Sequence, residues 1–180
     1  MAEAGEWLAQ LRDRVFPDFA AAMQTTLQQL LHEMGTTCVS YRRGWREGMP
    51  LLDRLRMLES RESMLGYTLA GPHRGDWSVE FEGHEVRQHG SRGQQRLVAL
   101  AAVLVAASLY RARRGEPPLV ALDDLASELD VEHQRRALSE CGRLGAQLWV
   151  TGTQQSPALA SWIGEVRRFH VEQGTVTVAT

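Results

Sequence analysis

The run Leu119-Val120-Ala121-Leu122-Asp123-Asp124 constrains this chain more than any other stretch. Four consecutive apolar residues, with Pro118 before them and two carboxylates after, suit a strand buried on both faces of a parallel sheet. A parallel neighbour demands a crossover. A helical pattern over 131–144 followed by a second apolar run over 147–151 supplies one. The expected unit is strand, helix, strand, with both acids at the carboxyl edge of the sheet, where α/β proteins bind ligands. One carboxylate there can hold a divalent cation, directly or through water, and the next can orient an attacking water. Two acids that merely end a strand and cap the following helix are an equally open reading.

Composition removes whole classes of function. All 20 basic residues are arginine. A phosphate-binding P-loop closes on a lysine ammonium and Schiff-base catalysis needs a lysine amine. The chain supplies neither, so a self-sufficient P-loop NTPase is excluded. With 43% hydrophobic and 23% charged residues the chain is globular, not disordered. A net charge of −2 argues against a basic coat for nucleic acid and leaves only local arginine faces. The two cysteines, Cys38 and Cys141, are too few for a disulfide framework; they are expected to be buried thiols in a reducing cytoplasm. The first residues lack the basic region of a signal peptide. The longest apolar stretch, 97–110, is shorter than the roughly 20 residues of a bilayer span and is expected to be a buried helix. No membrane partner is expected.

Apolar residues recur at three- and four-residue steps over 6–34, predicting an amphipathic helix that Pro17 breaks or kinks. A short strand over 37–41 and a helix from about Pro50 to Leu65 follow, making 1–66 a helical arm subdomain. From Tyr67 the period changes. Residues 67–70 and 77–82 are expected to be strands around the turn at 71–76, and Glu82-Gly83 turns into a third. A long apolar helix over 94–114 ends at Gly115-Glu116-Pro117-Pro118, and a hairpin turning at Gln173-Gly174 closes the chain.

Ser91-Arg92-Gly93-Gln94-Gln95 opens the apolar helix. A hydroxyl, free N–H groups and a glycine at a helix start make an anion site, although an ordinary N-cap with Gln94 or Gln95 reaching back explains the same residues. Ser127-Glu128-Leu129-Asp130 follows the acid pair and by itself is a helix-capping turn. Taken in order, Ser91-x-Gly93-Gln94, a helix, a hydrophobic strand with an acid pair, and Ser127-x-Leu129-Asp130 resemble the signature, Walker B and D-loop of an ABC-type ATPase head. Gly71-Pro72-His73-Arg74, the hairpin after it and Leu122-Asp123-Asp124 bring the resemblance closer, to the RecF family of bacterial DNA replication and repair proteins. It covers roughly 67–180, and the preceding region weakly.

The resemblance implies an α/β fold, the C-terminal half of an ABC-type P-loop ATPase head (67–180) with the helical arm. It implies Mg²⁺ at Asp123, and Asp124 in the place of a catalytic carboxylate that is usually glutamate. Ser91, Gly93 and Gln94 would cap the γ-phosphate of ATP across a dimer, with Asp130 at the interface. Gly152 stands where many heads carry a switch histidine, so Thr151 or Thr153 would substitute. The family is a slow ATPase used as a clamp, and this chain, lacking the Walker A lysine, would need the P-loop half or a second subunit. Single-stranded and gapped duplex DNA, RecR and RecO are the implied partners, with recombinase loading and SOS induction in the cytoplasm as the setting. Two other classes stay open: the head of another ABC or SMC-like ATPase, and a non-catalytic interaction module of the same fold.

Arg42, Arg43 and Arg46, beside Tyr41 and Trp45, combine cations with stacking rings and form a candidate DNA contact. A solvated strand edge whose rings cover the core is the alternative. His73 could touch nucleotide or DNA, although a structural hydrogen bond in its turn is the plainer expectation. The other histidines show no metal-ligand spacing.

Overall fold

The computed structural model describes residues 1–116 and 118–179. Pro117 of the expected helix stop and Thr180 lie outside these.

The first helix, α1 (Ala2–Leu30), begins earlier than its apolar pattern and runs unbroken through Pro17. At 29 residues it is about 43 Å long. Pro17 faces solvent, where water can satisfy the Asp13 carbonyl that the proline ring leaves without its helical donor. The two halves of α1 bury different residues. The first half presents small ones, Gly5 and Ala9, and a Cβ on Gly5 would stand 2.6 Å from the Leu51 side chain. Its Leu8 and Leu11 are only half-buried, and Val15 is exposed. The second half buries Met23, Leu27 and Leu30 completely.

Strand β1 (Thr37–Arg42) and helix α2 (Leu51–Leu65) follow, with Pro50 as the residue before α2 rather than its first turn. Residues 67–70 are not a strand. Gly66 ends α2 in a left-handed conformation, and the Leu69 N–H donates to Glu62 Oε1 at 2.6 Å, tying that segment back onto the helix. The strand β2 (Asp76–Phe81) therefore takes β1 as its antiparallel partner, and the short β3 (His84–Glu85) adds to its far side. The register pairs Val39 with Val79 and Tyr41 with Trp77, putting apolar residues on the α1 side. On the opposite face Ser40 and Ser78 meet at 2.9 Å. Phe16 packs tilted on Tyr41, with ring centroids 5.3 Å apart, and Phe19 meets Trp77 edge-on at 5.5 Å.

A single-turn helix, α3 (Val86–His89), leads into α4 (Arg92–Arg114), which Gly115 closes in a left-handed conformation. By length and composition α4 is apolar enough to cross a membrane, with a mean hydropathy of 1.3 over its best window. The expectation of a buried helix holds for one face: Leu97, Val98, Ala101, Leu104 and Val105 are buried, whereas Val103 and Tyr110 are exposed. The buried face packs on α1, and the two helices share a core with Val79, Phe81 and Val86.

Strand β4 (Leu119–Leu122), the short α5 (Leu125–Glu128), α6 (Val131–Arg143) and β5 (Gln147–Val150) complete the expected crossover, with β4 and β5 parallel. The expectation of a strand buried on both faces is corrected. Val120, Leu122, Leu148 and Val150 turn toward the helices, whereas Leu119 and Trp149, each 60% exposed, lie on an uncovered face. Strands β6 (Arg168–Glu172) and β7 (Thr175–Ala179) form the closing hairpin. Its pairing gathers Phe169, Val171, Val176 and Val178 on one face, and all four are exposed. Cys141 is buried, and burial pushes its thiol up to about 11; Cys38, expected to be buried, is exposed.

Core packing crosses the 66/67 boundary: β1 pairs with β2, and α1 shares its core with α4 and α6. The turn after β1 is fixed by backbone crowding. Gly44 has φ +95°, and a Cβ there would stand 2.3 Å from the Gly71 carbonyl and 2.4 Å from the Gly75 nitrogen. Gly44→Ala is expected to destabilise the chain by more than about 3 kcal/mol in urea unfolding. The comparison is Gly48→Ala, with φ +73° and open space around it; it should cost only about 1–2 kcal/mol.

Candidate functional site

The two acids stand where β4 ends. Asp123 is exposed, and its Oδ1 accepts the hydroxyl proton of Thr151, the residue after β5. The same Thr151 oxygen accepts the Asp124 N–H at 3.2 Å. The Thr151 N–H continues the parallel ladder to the Leu122 carbonyl at 3.0 Å. One hydroxyl, held by strand pairing, thus positions both acids. Asp124 is left-handed, with φ 50° and ψ 40°, a conformation aspartate tolerates better than most residues. This bend turns the chain into α5, whose Ser127 N–H donates to the Asp124 carbonyl at 3.1 Å.

Asp124 Oδ1 is buried and accepts no hydrogen bond. A buried carboxylate oxygen without a donor costs about 1–3 kcal/mol or more, so it marks a place for a donor, a water or a cation. Gly152 lies against it: a Cβ there would stand in ordinary van der Waals contact with this oxygen, at 3.9 Å. The acids therefore fit a divalent cation whose shell is completed by water and phosphate oxygens. Among the described residues, no three His, Cys, Asp or Glu side chains are grouped to hold a metal unaided.

At the start of α4, Ser91 and Gln94 form a reciprocal cap. Ser91 Oγ accepts the Gln94 N–H at 3.3 Å, and Gln94 Oε1 accepts the Ser91 N–H at 2.7 Å. The Gln94 amide also turns to Met34 Sδ at 2.8 Å, which leaves that side chain facing inward. Ser91 remains exposed, and a Cβ on Gly93 would meet nothing nearer than Ser91 Oγ at 4.0 Å. The Arg92 and Gly93 N–H groups are orphan donors of a helix start beside that open space.

Asp130 caps α6, its Oδ1 accepting the Glu132 and His133 N–H groups at 3.0 Å each. The loop before it is held from beneath by residues that the motif comparison passed over. Gln134, 2% exposed, donates to the Leu129 carbonyl at 2.5 Å and to the Ala126 carbonyl at 3.4 Å. The buried Ser156 hydroxyl in turn donates to Gln134 Oε1. The signal for Gln134 was present in the sequence: it precedes Ala137, Leu138 and Cys141 at helical spacing, a polar group on the apolar face of α6. Arg96, on α4, pairs with Glu128 and so joins that helix to the same loop.

His133 links this loop to the end of α1. Its Nδ1 lies 2.5 Å from Asp130 Oδ2 and its Nε2 3.2 Å from Glu33 Oε1. Two carboxylates on the two ring nitrogens require both to carry protons. Burial opposes that charge, but the bonds to Asp130 and Glu33 outweigh it and raise the His133 pKa. Burial likewise opposes the ionisation of Glu33. Its own backbone N–H and bonds from His32, His133 and Arg136 nevertheless bring its pKa down to about 2. The Asp130 carboxyl is lowered by the His133 N–H and then by its ring.

The structure thus brings Asp123, Asp124 and Thr151 together, and places Asp130 on the helix cap beside His133. No hydrogen bond among the described residues joins Ser91, Gly93 and Gln94 to the acid pair. Thr153 is exposed and makes no side-chain hydrogen bond among the described residues. The arginine cluster is divided: Arg43 pairs with Asp13, whereas Arg42 and Arg46 remain exposed. Tyr41 and Trp45 pack against the core rather than standing free to stack. His73 takes the structural hydrogen bond expected of its turn, to Thr68 Oγ1 at 2.8 Å.

A two-stranded parallel crossover with an acid pair at its carboxyl edge, behind a capped apolar helix and carrying a helical arm, is the C-terminal half of an ABC-type ATPase head. No family model matches the chain. It is 40% identical over 177 residues to the DNA replication and repair protein RecF of Stenotrophomonas maltophilia (strain R551-3), a match covering 98% of this chain and 48% of that protein. The RecF of Saccharophagus degradans is 35% identical over 146 residues, covering 78% and 40% respectively. The chain belongs to the RecF family and corresponds to its C-terminal half, spanning about half the length of the curated relatives it matches. A solved structure of the recombination mediator protein RecF-ATP in the RecFOR pathway shares the fold. Its TM-score is 0.76 at 23% identity, over 99% of this chain and 48% of that one.

Two outcomes follow from the loop support. Gln134→Leu strands two carbonyls and the Ser156 hydroxyl, and should cost about 1–3 kcal/mol in urea unfolding while speeding amide exchange over 125–130. A histidine with a raised pKa stabilises the fold below about pH 6.5 and loses that effect as pH climbs through the folded value; a glutamate lowered to about 2 contributes above about pH 4.5 and loses it as pH falls. The clamp is therefore strongest between roughly pH 5 and 6.5. His133→Gln should flatten the alkaline decline in melting temperature and make the acid one shallower without removing it, since Glu33 loses the ring but keeps its bonds from His32 and Arg136.

Proposed function

We propose that this chain supplies the signature, Walker B and D-loop elements of an ATP-dependent clamp in DNA replication and recombinational repair. It would work with a P-loop-bearing segment brought to it. The observation that carries this is the acid pair at the end of β4: the Thr151 hydroxyl holds the Asp123 carboxylate and the Asp124 backbone N–H, and the Asp124 carboxylate keeps a buried oxygen without a partner. The uncovered apolar face at Leu119 and Trp149 and that of the β6–β7 ribbon support a covering segment. The family's repair role supports the setting.

In this reading Asp123 holds Mg²⁺ and Asp124 orients the attacking water, with Thr151 keeping both in place. Bound Mg²⁺ would neutralise charge on phosphate oxygens. Ser91 and Gly93 offer a hydroxyl and two backbone N–H groups to the γ-phosphate of ATP held by a second copy, so that nucleotide drives dimerisation. Gln94 contributes by holding that helix start rather than by touching phosphate. Asp130 sets the loop at the interface, and Thr153 is the exposed hydroxyl available as phosphate sensor. Turnover would be slow, since Asp124 is one methylene shorter than glutamate. DNA, including single-stranded and gapped duplex, would meet the exposed Arg42 and Arg46. RecO and RecR would be partners in a cytoplasmic pathway that includes recombinase loading and SOS induction. A nucleotide-free interaction module is the competing reading, and the capping roles of Ser91 and Asp130 favour it.

The test joins this chain to the N-terminal half of the Stenotrophomonas relative and follows dimerisation by light scattering. Ser91→Asp retains a competent cap, so melting should not change, but its charge against a phosphate should abolish ATP-dependent dimerisation. Asp124→Asn should keep ATP-dependent dimers and slow turnover by about 100-fold or more. A reconstituted pair that does not respond to Mg-ATP favours the interaction module, and a Ser91→Asp variant that dimerises normally with ATP removes Ser91 from the phosphate contact. Micromolar Mg-ATP binding to the chain alone would contradict the need for a second segment.

A further inference from the structure

The single turn that follows α1, His32–Met34, stands between the caps of α4 and α6. It is braced from both sides. Leu30 and Leu31 before it are buried, and Gly35 after it adopts φ +73°, where a Cβ would strike Glu82 Oε1. Glu82, at the end of β2, accepts the Thr36 N–H at 2.6 Å and donates its own N–H to the Thr36 carbonyl at 3.0 Å. The turn is therefore a fixed point.

Adjacent residues of this turn reach different caps. Glu33 Oε1 meets His133 Nε2 at 3.2 Å and its Oε2 accepts from Arg136 at 3.2 Å, and His133 passes the contact on to Asp130, which caps α6. Met34 Sδ accepts from the Gln94 amide at 2.8 Å, and Gln94 Oε1 holds the Ser91 N–H at the start of α4 at 2.7 Å. Neither contact is local: 60 positions separate Met34 from Gln94, and 100 separate Glu33 from His133. Arg96 and Glu128 also join the two segments, but they do so at the surface, where an ion pair contributes little.

We propose that Glu33 and Met34 are positioning residues, and that their turn couples the α4 cap at Ser91 to the α6 cap at Asp130, so that loosening one loosens the other. Such coupling acts equally in both directions. On the dimer reading above, the two caps must meet one interface together, and this turn sets their mutual register. That consequence rests on the dimer reading; the coupling itself does not.

The experiment compares Glu33→Ala, at a side chain 45% exposed, with Met34→Leu, which keeps apolar bulk and removes the sulphur acceptor. Amide exchange is followed by NMR. Each substitution is scored at the cap it does not touch: Glu33→Ala should speed exchange of the Gln94 N–H, and Met34→Leu that of the Glu132 and His133 N–H groups, by about threefold or more. The Gly115 N–H at the far end of α4 and the Gln147 N–H of β5, both paired with backbone carbonyls, should keep their rates. Met34→Leu carries the test by itself if Glu33→Ala melts below the assay temperature. Acceleration confined to the near cap would overturn the coupling and leave the dimer reading standing. In the chain reconstituted with the P-loop half, each substitution should raise the ATP needed for half-maximal dimerisation by about threefold or more, and the double variant should be no weaker than the weaker single one, because effects along one path do not add. Effects that multiply would give Glu33 and Met34 separate local roles and overturn the coupling. A wild type that forms no dimer with ATP would overturn the dimer reading alone, and the exchange rates would still decide the coupling.

Discussion

The burial of Met23, Leu27 and Leu30 against α4 is the contact on which the other elements depend. All three side chains are fully buried, in one core with Val79 and Phe81 of β2, Leu97, Val98, Ala101 and Val105 of α4 and Ala137 of α6. The helix that begins with Ser91 and the helix capped by Asp130 are therefore positioned by the same few residues of α1. A cavity there would loosen both at once, because protein interiors fill space at crystal-like density and relax only partly when a side chain shrinks.

Polar contacts refine what this core sets coarsely. Arg136 donates to the Leu30 carbonyl at 3.0 Å and to Glu33 at 3.2 Å, carrying the end of α1 to the start of α6. Gln134 does the same from inside, fastening the loop after the acid pair to buried ground. The acids themselves need little of this. Their geometry comes from two adjacent parallel strands and one hydroxyl.

Most of the secondary structure was legible because its signals are local. The four-residue apolar strand, the glycine stops at Gly66 and Gly115, and the Gln173-Gly174 hairpin need no knowledge of distant partners. What failed was long-range. The segment 67–70 has the composition of a strand, but β2 found a better match in β1, where Val39 and Tyr41 could meet Val79 and Trp77 over α1. Pro17 misled because helix-breaking was judged without its exposure. The two-sided burial expected of β4 failed because a four-residue apolar run does not reveal whether a second layer covers it, and Leu119 and Trp149 lie uncovered. In the site, the acids and the helix cap could be read from motif order. The engagement of Gln94 by Met34, of Arg43 by Asp13 and of His133 by Glu33 could not, since each joins residues 30 or more positions apart.

Sharing of the Thr151 hydroxyl between Asp123 and Asp124 makes the three residues one thermodynamic unit. Replacing Thr151 frees both the Asp123 carboxylate and the Asp124 backbone N–H, so its effect and that of replacing Asp123 will not sum to that of the pair. Alanine values measured one at a time would count the same oxygen more than once. Only a complete set of double-mutant cycles can divide the site's energy among its parts.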